Sequence, residues 1–306
     1  MQQKGLIMRS TGSWYEVQNE QGQILKGRLR GKIKLQGLKV TNPIAVGDHV
    51  FYEEEGEGQI IITDIEERQN YIVRKSPQKG AFGHLLAANL DQAILVATVA
   101  MPRTSLGFLD RFLVSAESFR IPTVVVFNKI DILSEQEQQI LEEYCNIYEK
   151  IGYPCLKVSA LESDLTELEN LLEGKKTLVS GHSGVGKSTL INRIAPQIHQ
   201  KTDIISNFAN KGKHTTTFAE MFEIRKNTYF IDTPGIKELG LKDMERSEIS
   251  HYFPEMREVL GQCKYPNCMH INEPKCEIKT QVLEGKIAES RYKSYLSMLD
   301  DDDNRR

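Results

Sequence analysis

The chain has 306 residues, of which 40% are hydrophobic, and a formal net charge of −3 at pH 7. This length predicts two or three domains, and the hydrophobic fraction is sufficient for their cores. No apolar run approaches the roughly eighteen residues of a transmembrane helix, and the first residues lack the apolar stretch of a signal peptide. We therefore expect a cytoplasmic protein with no membrane partner, in which five cysteines favour a metal site over disulfides.

Residues 1–70 predict a small OB-like β-barrel, because short strands alternate there with glycine-containing turns. The predicted strands are 13–17, 23–27 and 59–65. The first forty residues carry eight basic side chains against two acidic ones, and basic and apolar residues alternate over 28–35. Such alternation gives an extended segment one basic face, which suits RNA. An ordinary solvated barrel is the alternative, and the acidic run Glu53–Glu55 is interpreted as a loop edge.

Residues 71–240 alternate predicted strands and helices, as a parallel α/β sheet with right-handed crossovers does. Strands are predicted at 93–99, 121–127, 154–158, 176–180 and 228–231. Helices are predicted at 109–119, from Ser134 onward, over 165–172 and over 188–194. Ser134 and Glu137 have the spacing of a capping box, and Asp164 is predicted to cap the third helix.

The tetrapeptide Asn128–Asp131 follows a predicted buried strand and has the Asn-Lys-x-Asp pattern of a guanine-reading loop. The Asp131 carboxylate can accept hydrogen bonds from N1–H and the N2 amine of guanine, whereas adenine offers neither donor there. The first two residues of the tetrapeptide are expected to brace the loop and cover the base. A helix cap is the alternative interpretation. Ser159-Ala160, after a later predicted strand, resembles a second base-contacting loop.

The segment Ser180–Ser188 contains a phosphate loop, Gly-x4-Gly-Lys-Ser, between a predicted strand and a predicted helix. Its glycines let backbone amides surround phosphates, and the helix adds its positive N-terminal end. We expect Lys187 to reach the β- and γ-phosphates and the Ser188 hydroxyl to bind Mg²⁺.

The segment Asp232–Gly235 ends a predicted strand and has the pattern of a second phosphate-contacting loop. Asp232 is expected to hold Mg²⁺ through water, and the amide of Gly235 to meet the γ-phosphate. The threonines Thr215–Thr217 lie between the two loops, where a GTPase needs a threonine ligand of Mg²⁺. Our candidate is Thr216, and a plain polar loop is the alternative.

Ile236 occupies the position after Asp-x-x-Gly, where many GTPases carry a glutamine that orients water. An isoleucine side chain cannot hydrogen-bond water, so either hydrolysis is intrinsically slow or another group orients the water. His214 is the nearest polar candidate in sequence, because an imidazole can accept a proton near neutral pH; a surface loop residue is the alternative. The candidate catalytic residues are therefore His214, Lys187 and Thr216.

The three nucleotide motifs come in an unusual order. The guanine-reading loop is first, the phosphate loop second and Asp-x-x-Gly last, whereas ordinary GTPases begin with the phosphate loop. The sequence therefore predicts a circularly permuted P-loop GTPase, in which the chain enters the fold at a different strand. Its predicted nucleotide-binding residues are Asn128, Lys129, Ile130, Asp131, Ser159, Ala160, Ser180, Gly181, His182, Ser183, Gly184, Val185, Gly186, Lys187, Ser188, Asp232 and Gly235.

Residues 241–306 predict a mainly helical zinc-binding domain that ends in an acidic tail. The predicted ligands follow the pattern Cys263-x4-Cys268-x-His270-x5-Cys276. Three thiolates and one imidazole complete a tetrahedral site without an open position, which favours a structural role for one Zn²⁺ per chain; unrelated loop cysteines are the alternative. Basic residues that are candidate phosphate contacts surround it: Lys264, Lys275, Lys279, Lys286, Arg291 and Lys293.

This succession of barrel, NKID, GHSGVGKS, GKHTTT, DTPG and Cys/His cluster resembles the bacterial ribosome small subunit-dependent GTPase A family over nearly the whole chain. The resemblance implies a late-stage maturation factor that binds the small ribosomal subunit and its rRNA. Only the short segment 236–240 separates Asp-x-x-Gly from the predicted zinc-binding domain, so we expect the affinity for the subunit to change with GTP state. It also implies GTP or GDP, Mg²⁺ and Zn²⁺ as ligands, and a low intrinsic GTPase rate that the subunit stimulates. We expect a monomer. A nucleotide-switched module with an mRNA or protein partner is the alternative.

Overall fold

The computed structural model describes residues 3–31, 40, 42–56, 58–74, 83–196, 219–232 and 244–300. The strands are β1 Gln3–Thr11, β2 Trp14–Asn19, β3 Ile24–Leu29, β4 His49–Gly56, β5 Gln59–Ile65, β6 Tyr71–Arg74, β7 His84–Ala88, β8 Gln92–Ala97, β9 Thr123–Phe127, β10 Cys155–Lys157, β11 Lys176–Ser180, β12 Glu220–Arg225 and β13 Thr228–Asp232. The α-helices are α1 Leu106–Ser118, α2 Glu135–Lys150, α3 Thr166–Leu172, α4 Lys187–Ile194, α5 Pro254–Arg257, α6 Glu277–Leu283 and α7 Glu289–Leu299. Short 3₁₀ helices lie at Ile130–Ile132 and Ile249–Tyr252.

Strands β1 to β5 form a closed barrel, which confirms the predicted OB-like fold. The strands follow the order β1-β2-β3-β5-β4, and β1 also pairs with β4 and closes the ring. Alternate side chains point inward, as in any barrel wall, so that Ile7, Val17, Tyr52 and Ile62 are buried together. Strand β1 was not predicted, because an irregularity between Ile7 and Arg9 interrupts its alternation.

The acidic run Glu53–Glu55 lies in β4, so its interpretation as a loop edge is wrong. The carboxylate of Glu55 lies 3.0 Å from Arg28, and that of Glu53 lies 2.9 Å from Arg30. Arg28 of β3 and Arg30 just after it thus neutralise two of the three carboxylates, which explains why so acidic a stretch is extended here.

A six-strand region follows the barrel strands in the same sheet, in the order β10-β9-β8-β11-β13-β12. Strands β10, β9, β8, β11 and β13 are parallel, and β12 runs antiparallel to β13. Helices cover both faces of this region, where two apolar cores lie. The predicted parallel α/β architecture is confirmed, and its five predicted strands are all present.

The barrel is continuous with this sheet, because β1 pairs with β12 at Arg9 and Glu220. Met8 and Val46 of the barrel extend into the apolar core beneath β8 and β9. Between the two parts, β6 and β7 form a separate hairpin. Its backbone meets the barrel at Ala88, whose N–H donates to the carbonyl oxygen of Val46 at 2.8 Å.

The C-terminal region, residues 244–300, is mainly helical as predicted and packs on α1. Val114 of α1 lies in the apolar core of this region with Phe253, Met256 and Tyr295. Arg291 of α7 is 1% exposed, so its prediction as a phosphate contact is wrong. Its guanidinium is buried because the carboxylates of Asp110 and Glu255 neutralise it inside the protein.

Two predicted helix caps have different outcomes. The Ser134 side chain accepts from the amide of Glu137, whose carboxylate accepts from the amide of Ser134, so the predicted capping box is confirmed. Helix α3 begins at Thr166 after Leu165, and Asp164 is not its N-cap. The Asp164 carboxylate instead accepts from the amide and hydroxyl of Thr166, an Asx turn that satisfies it locally. None of the described helices is long and apolar enough to cross a membrane.

Candidate functional site

The phosphate loop lies between β11 and α4, at the carboxyl edge of the parallel strands, where ligands bind in such sheets. Its glycines adopt left-handed backbone angles, with φ of 144° at Gly181, 83° at Gly184 and 91° at Gly186. A Cβ atom at Gly181 would lie 2.2 Å from the carbonyl oxygen of Val96 on the neighbouring strand. The glycine therefore permits both the turn and the close approach of β8.

One buried side chain joins the guanine-reading loop to the phosphate loop. Asn128 is 2% exposed, and its Nδ2 donates to the carbonyl oxygen of Val185 at 2.8 Å. Its Oδ1 accepts from the amide of Ala160 at 2.8 Å. A Cβ at Gly186 would lie 2.3 Å from Asn128 Nδ2, so only glycine fits at this crossing. The guanine-reading loop, the phosphate loop and the second base-contacting loop therefore meet at the amide group of Asn128.

The remaining residues of the guanine-reading loop are more exposed than Asn128. Lys129 has a left-handed backbone, and its Nζ donates to the carbonyl oxygen of Met101 at 2.8 Å. Ile130 and Asp131 form the first turn of a short 3₁₀ helix, with the Asp131 side chain exposed. An exposed carboxylate beside buried Asn128 has the accessibility that base recognition needs.

The second base-contacting loop is held by its own serine and by an arginine of α4. Ser159 is 1% exposed, and its hydroxyl accepts from the amides of Leu161 and Glu162. Arg193 of α4 donates to the carbonyl oxygens of Ala160 and Ser163 at 3.0 Å each. Sequence reasoning missed Arg193, because a lone basic residue at the end of a helix does not indicate which loop it reaches.

Lys187 begins α4, and its Nζ donates to the carbonyl oxygen of Gly181 at 2.7 Å and also to that of His182. Its ammonium thus lies over the phosphate loop rather than in solvent. Ser188 follows it in the first turn of the helix and is partly exposed. In the same loop Ser183 is exposed and Val185 is buried. The apolar side chain of Val185 offers no hydrogen-bonding group to a phosphate.

Several predicted residues lie outside the described part of the chain: His214, Thr215, Thr216, Thr217, Gly235 and Ile236. Asp232 is the last residue of β13, and only its backbone is described. Since β13 is parallel to β11, its carboxyl end lies at the same edge as the phosphate loop. The catalytic roles of His214 and Thr216 stay predictions.

The four predicted metal ligands lie together. Their ligand atoms are all within 4.8 Å of one another, in the group Cys263, Cys268, His270 and Cys276. The His270 Nδ1 atom lies 3.6 Å from Cys263 Sγ and 3.4 Å from Cys276 Sγ, and the two sulfurs are 4.0 Å apart. Ligands about 2.3 Å from a tetrahedral metal lie roughly 3.8 Å apart, so this group fits one metal ion.

The loop around the cluster is held by polar contacts. The Glu273 carboxylate accepts from the amides of Met269 and Ile271 at 2.7 and 2.8 Å. The Tyr292 hydroxyl of α7 donates to the carbonyl oxygen of His270 at 2.6 Å. Burial lowers the pKa of His270, which favours the neutral imidazole that a metal requires.

Comparison with protein families gives two matches. The RsgA GTPase family matches residues 65–242, and the RsgA N-terminal domain family matches residues 4–62. A protein of Bacteroides thetaiotaomicron named small ribosomal subunit biogenesis GTPase RsgA 2 is 52% identical over 299 residues, 97% of this chain and 96% of the relative. A protein of Cytophaga hutchinsonii named small ribosomal subunit biogenesis GTPase RsgA is 53% identical over 309 residues, 99% of this chain and 100% of the relative.

Two solved structures have the same fold. YjeQ from Thermotoga maritima has a TM-score of 0.79 and 36% identity, over 100% of both chains. YloQ, described as a circularly permuted GTPase, has a TM-score of 0.75 and 28% identity, over 98% of this chain and 94% of that one. These similarities confirm the predicted permutation of the GTPase domain. By its matched regions, its relatives and its fold, the chain belongs to the RsgA GTPase family.

Proposed function

We propose that this protein hydrolyses GTP to GDP and phosphate as a biogenesis factor of the small ribosomal subunit. The observation that carries the proposal is the double contact of Asn128, which joins the guanine-reading loop, the phosphate loop and the second base loop. The names of its relatives supply the ribosomal partner. We also propose that the protein acts late in the maturation of that subunit, in the cytoplasm and as a monomer.

In this proposal each nucleotide residue has one task. Asp131 accepts from the guanine edge, Lys187 neutralises the β- and γ-phosphates, and Ser188 holds Mg²⁺ with Asp232. The ion, when bound, neutralises charge that develops on the phosphate oxygens. His214 orients the attacking water in place of the glutamine that Ile236 replaces, with Thr216 as a further ligand of Mg²⁺.

The metal of the C-terminal cluster is proposed to be zinc, one ion per chain. Three thiolates with one imidazole are the ligands that zinc prefers, and four protein ligands leave no open position for a substrate. Its role is therefore structural: it fixes the loop that connects α5 to α6.

RNA binding is proposed for two surfaces that each combine basic side chains with an exposed aromatic ring. On the barrel, the basic side chains Arg28 and Arg30 already pair with Glu55 and Glu53. Such exposed ion pairs contribute about 0–1 kcal/mol, so phosphates can displace the carboxylates at little cost. The exposed Trp14 beside them offers a ring for base stacking.

The second surface lies on the metal loop. The Lys264 ammonium lies 5.2 Å from the ring centre of Tyr265, which is 38% exposed. A basic and an aromatic side chain together suit an unpaired RNA nucleotide. Two of the other predicted basic contacts are already paired on the surface, Lys286 with Glu284 and Lys293 with Glu289.

The test is GTP turnover measured with free small subunits, free large subunits and bulk RNA. We expect only small subunits to stimulate turnover, and a Lys187→Ala control to show no turnover. In His214→Ala we expect stimulated turnover to fall much more than nucleotide affinity. Stimulation by bulk RNA or by large subunits would instead support the alternative of a nucleotide-switched module with another partner. Unchanged stimulated turnover in His214→Ala would exclude only the water-orienting role of His214 and would leave the proposed GTPase function standing.

A further inference from the structure

Helix α1 begins beside the phosphate loop. In its first turn the Phe108 ring lies 3.7 Å, centroid to centroid, from the His182 imidazole of that loop. The carbonyl oxygen of His182 accepts a hydrogen bond from Nζ of Lys187, the predicted phosphate-binding group. Two contacts, Phe108 with His182 and His182 with Lys187, therefore connect the start of α1 to the ammonium that we expect to hold the γ-phosphate.

The same helix is fixed to the C-terminal region by buried contacts. Asp110 accepts a 2.7 Å hydrogen bond from Arg291 of α7, and each side chain is 1% exposed. Val114, fully buried, belongs to the apolar core of the C-terminal region. It lies about 9 Å along the helix axis from Phe108. Close-packed interiors transmit displacement, so a helix held in this way moves with the region attached to it.

Phe108 differs from the neighbouring side chains that hold α1 on the sheet. Leu109 and Leu113 are fully buried in the core beneath the sheet, whereas Phe108 is only partly buried at its edge. A ring at that edge adds less to the core and is placed against the phosphate loop instead. A substitution of Phe108 can therefore remove this contact between α1 and the phosphate loop with little loss of packing in the core.

We propose that Phe108 is a positioning residue that transmits docking of the C-terminal region on the small ribosomal subunit to the phosphate loop. The inference rests on the proposed function. When the subunit displaces the C-terminal region, Asp110 and Val114 carry α1 with it. Phe108 then shifts His182, and the hydrogen bond between the His182 carbonyl and Lys187 changes the position of the ammonium.

The experiment compares GTP turnover with and without small subunits in native protein, Phe108→Ala, Phe108→Tyr and Phe119→Ala. Phe119 is a matched control, because it ends the same helix and packs partly buried against the same core, away from the phosphate loop. In Phe108→Ala we expect unstimulated turnover, GDP affinity and the subunit affinity of the GDP state to stay within about twofold, and the stimulation ratio to fall roughly 5- to 100-fold. Phe108→Tyr, which keeps the ring, should restore stimulation, and Phe119→Ala should retain it.

The outcomes separate the two proposals. If native protein is not stimulated by small subunits, the proposed function fails, and this inference fails with it. If Phe108→Ala is stimulated as strongly as native protein, only the inference is overturned. Equal loss in Phe119→Ala would also overturn it, because the loss would then be general. If thermal unfolding shows that Phe108→Ala does not fold, Phe108→Leu takes its place, and native-like stimulation in that variant overturns the inference.

Discussion

The barrel and the C-terminal region are attached to the GTPase domain by different kinds of contact. The barrel is attached at several separate points: β1 pairs with β12, the amide of Ala88 donates to the carbonyl oxygen of Val46, and buried Gln18 accepts from the Tyr229 hydroxyl. The C-terminal region is attached through side chains of one helix, chiefly Asp110 and Val114. Loss of one contact among several separate ones leaves the others in place, whereas contacts that are concentrated on one helix can be weakened together by one substitution. The C-terminal attachment is therefore the one that mutation can break and that a partner can shift.

Charge burial also differs between the two attachments. Arg291 donates to Asp110 and, at 2.7 Å, to Glu255, and its guanidinium lies 4.5 Å from the ring centre of Phe253. Burial alone would lower the pKa of Arg291, but Asp110 and Glu255 raise it, so the guanidinium stays charged. At the barrel, Arg9 meets Glu220 at 3.9 Å with 42% and 27% of the side chains exposed. Only the first of these ion pairs is shielded from water.

Loss of the metal should produce the largest effect and should be confined to the C-terminal region. Structural zinc contributes about 10–16 kcal/mol in small domains, more than the surrounding fold can replace. We expect Cys268→Ala to lose the metal and to expose α6 and α7 to hydrogen exchange, with β1 to β5 still protected. Metal analysis and hydrogen exchange by mass spectrometry measure this. Cys155→Ala is the matched control, since that thiol lies outside the cluster. A full complement of metal in Cys268→Ala would contradict the assigned ligand.

Removal of the buried guanidinium should have the next largest effect. Arg291→Ala leaves two carboxylates buried without their partner, which typically costs about 3–5 kcal/mol. Lys293→Ala on the same helix removes an ion pair to Glu289 that is largely exposed, with an expected cost of about 0–1 kcal/mol. Urea unfolding followed by circular dichroism gives both values. Equal stability losses in the two variants would show that the buried pair does not hold the C-terminal region.

The nucleotide should act on the C-terminal attachment and therefore on subunit affinity. We expect affinity for the small subunit to be about 5- to 150-fold higher with a non-hydrolysable GTP analogue than with GDP, the usual range of coupling between two sites. By linkage, the subunit must tighten binding of the analogue by the same factor. Equilibrium binding of labelled subunits measures the first quantity, and nucleotide titration the second. Identical affinities in the two nucleotide states would refute the coupling.

Periodic patterns predicted most of the elements, and the spacing of the cysteines and the histidine predicted residues that do lie together. Strand β11 has the predicted bounds, and the bracing of the loop by Asn128 followed from the motif. Contacts between distant segments could not be predicted. Arg291 resembled any exposed basic residue of a helix, because its partner Asp110 is far away in sequence. Phe108 likewise lay outside the predicted helix 109–119, and nothing in its neighbours in sequence indicates an imidazole against its ring.

The smallest effect should come from the barrel attachment, at the ion pair of Arg9 with Glu220. We expect Arg9→Ala to change the free energy of unfolding by less than about 1 kcal/mol, because solvent already screens this ion pair. The backbone pairing of β1 with β12 does not require the Arg9 side chain. Subunit stimulation should also stay as in native protein. Urea unfolding and the turnover assay, with Arg291→Ala measured in parallel, provide the comparison. A loss in Arg9→Ala as large as that in Arg291→Ala would mean that the barrel, too, depends on single side chains, and the contrast between the two attachments would then be wrong.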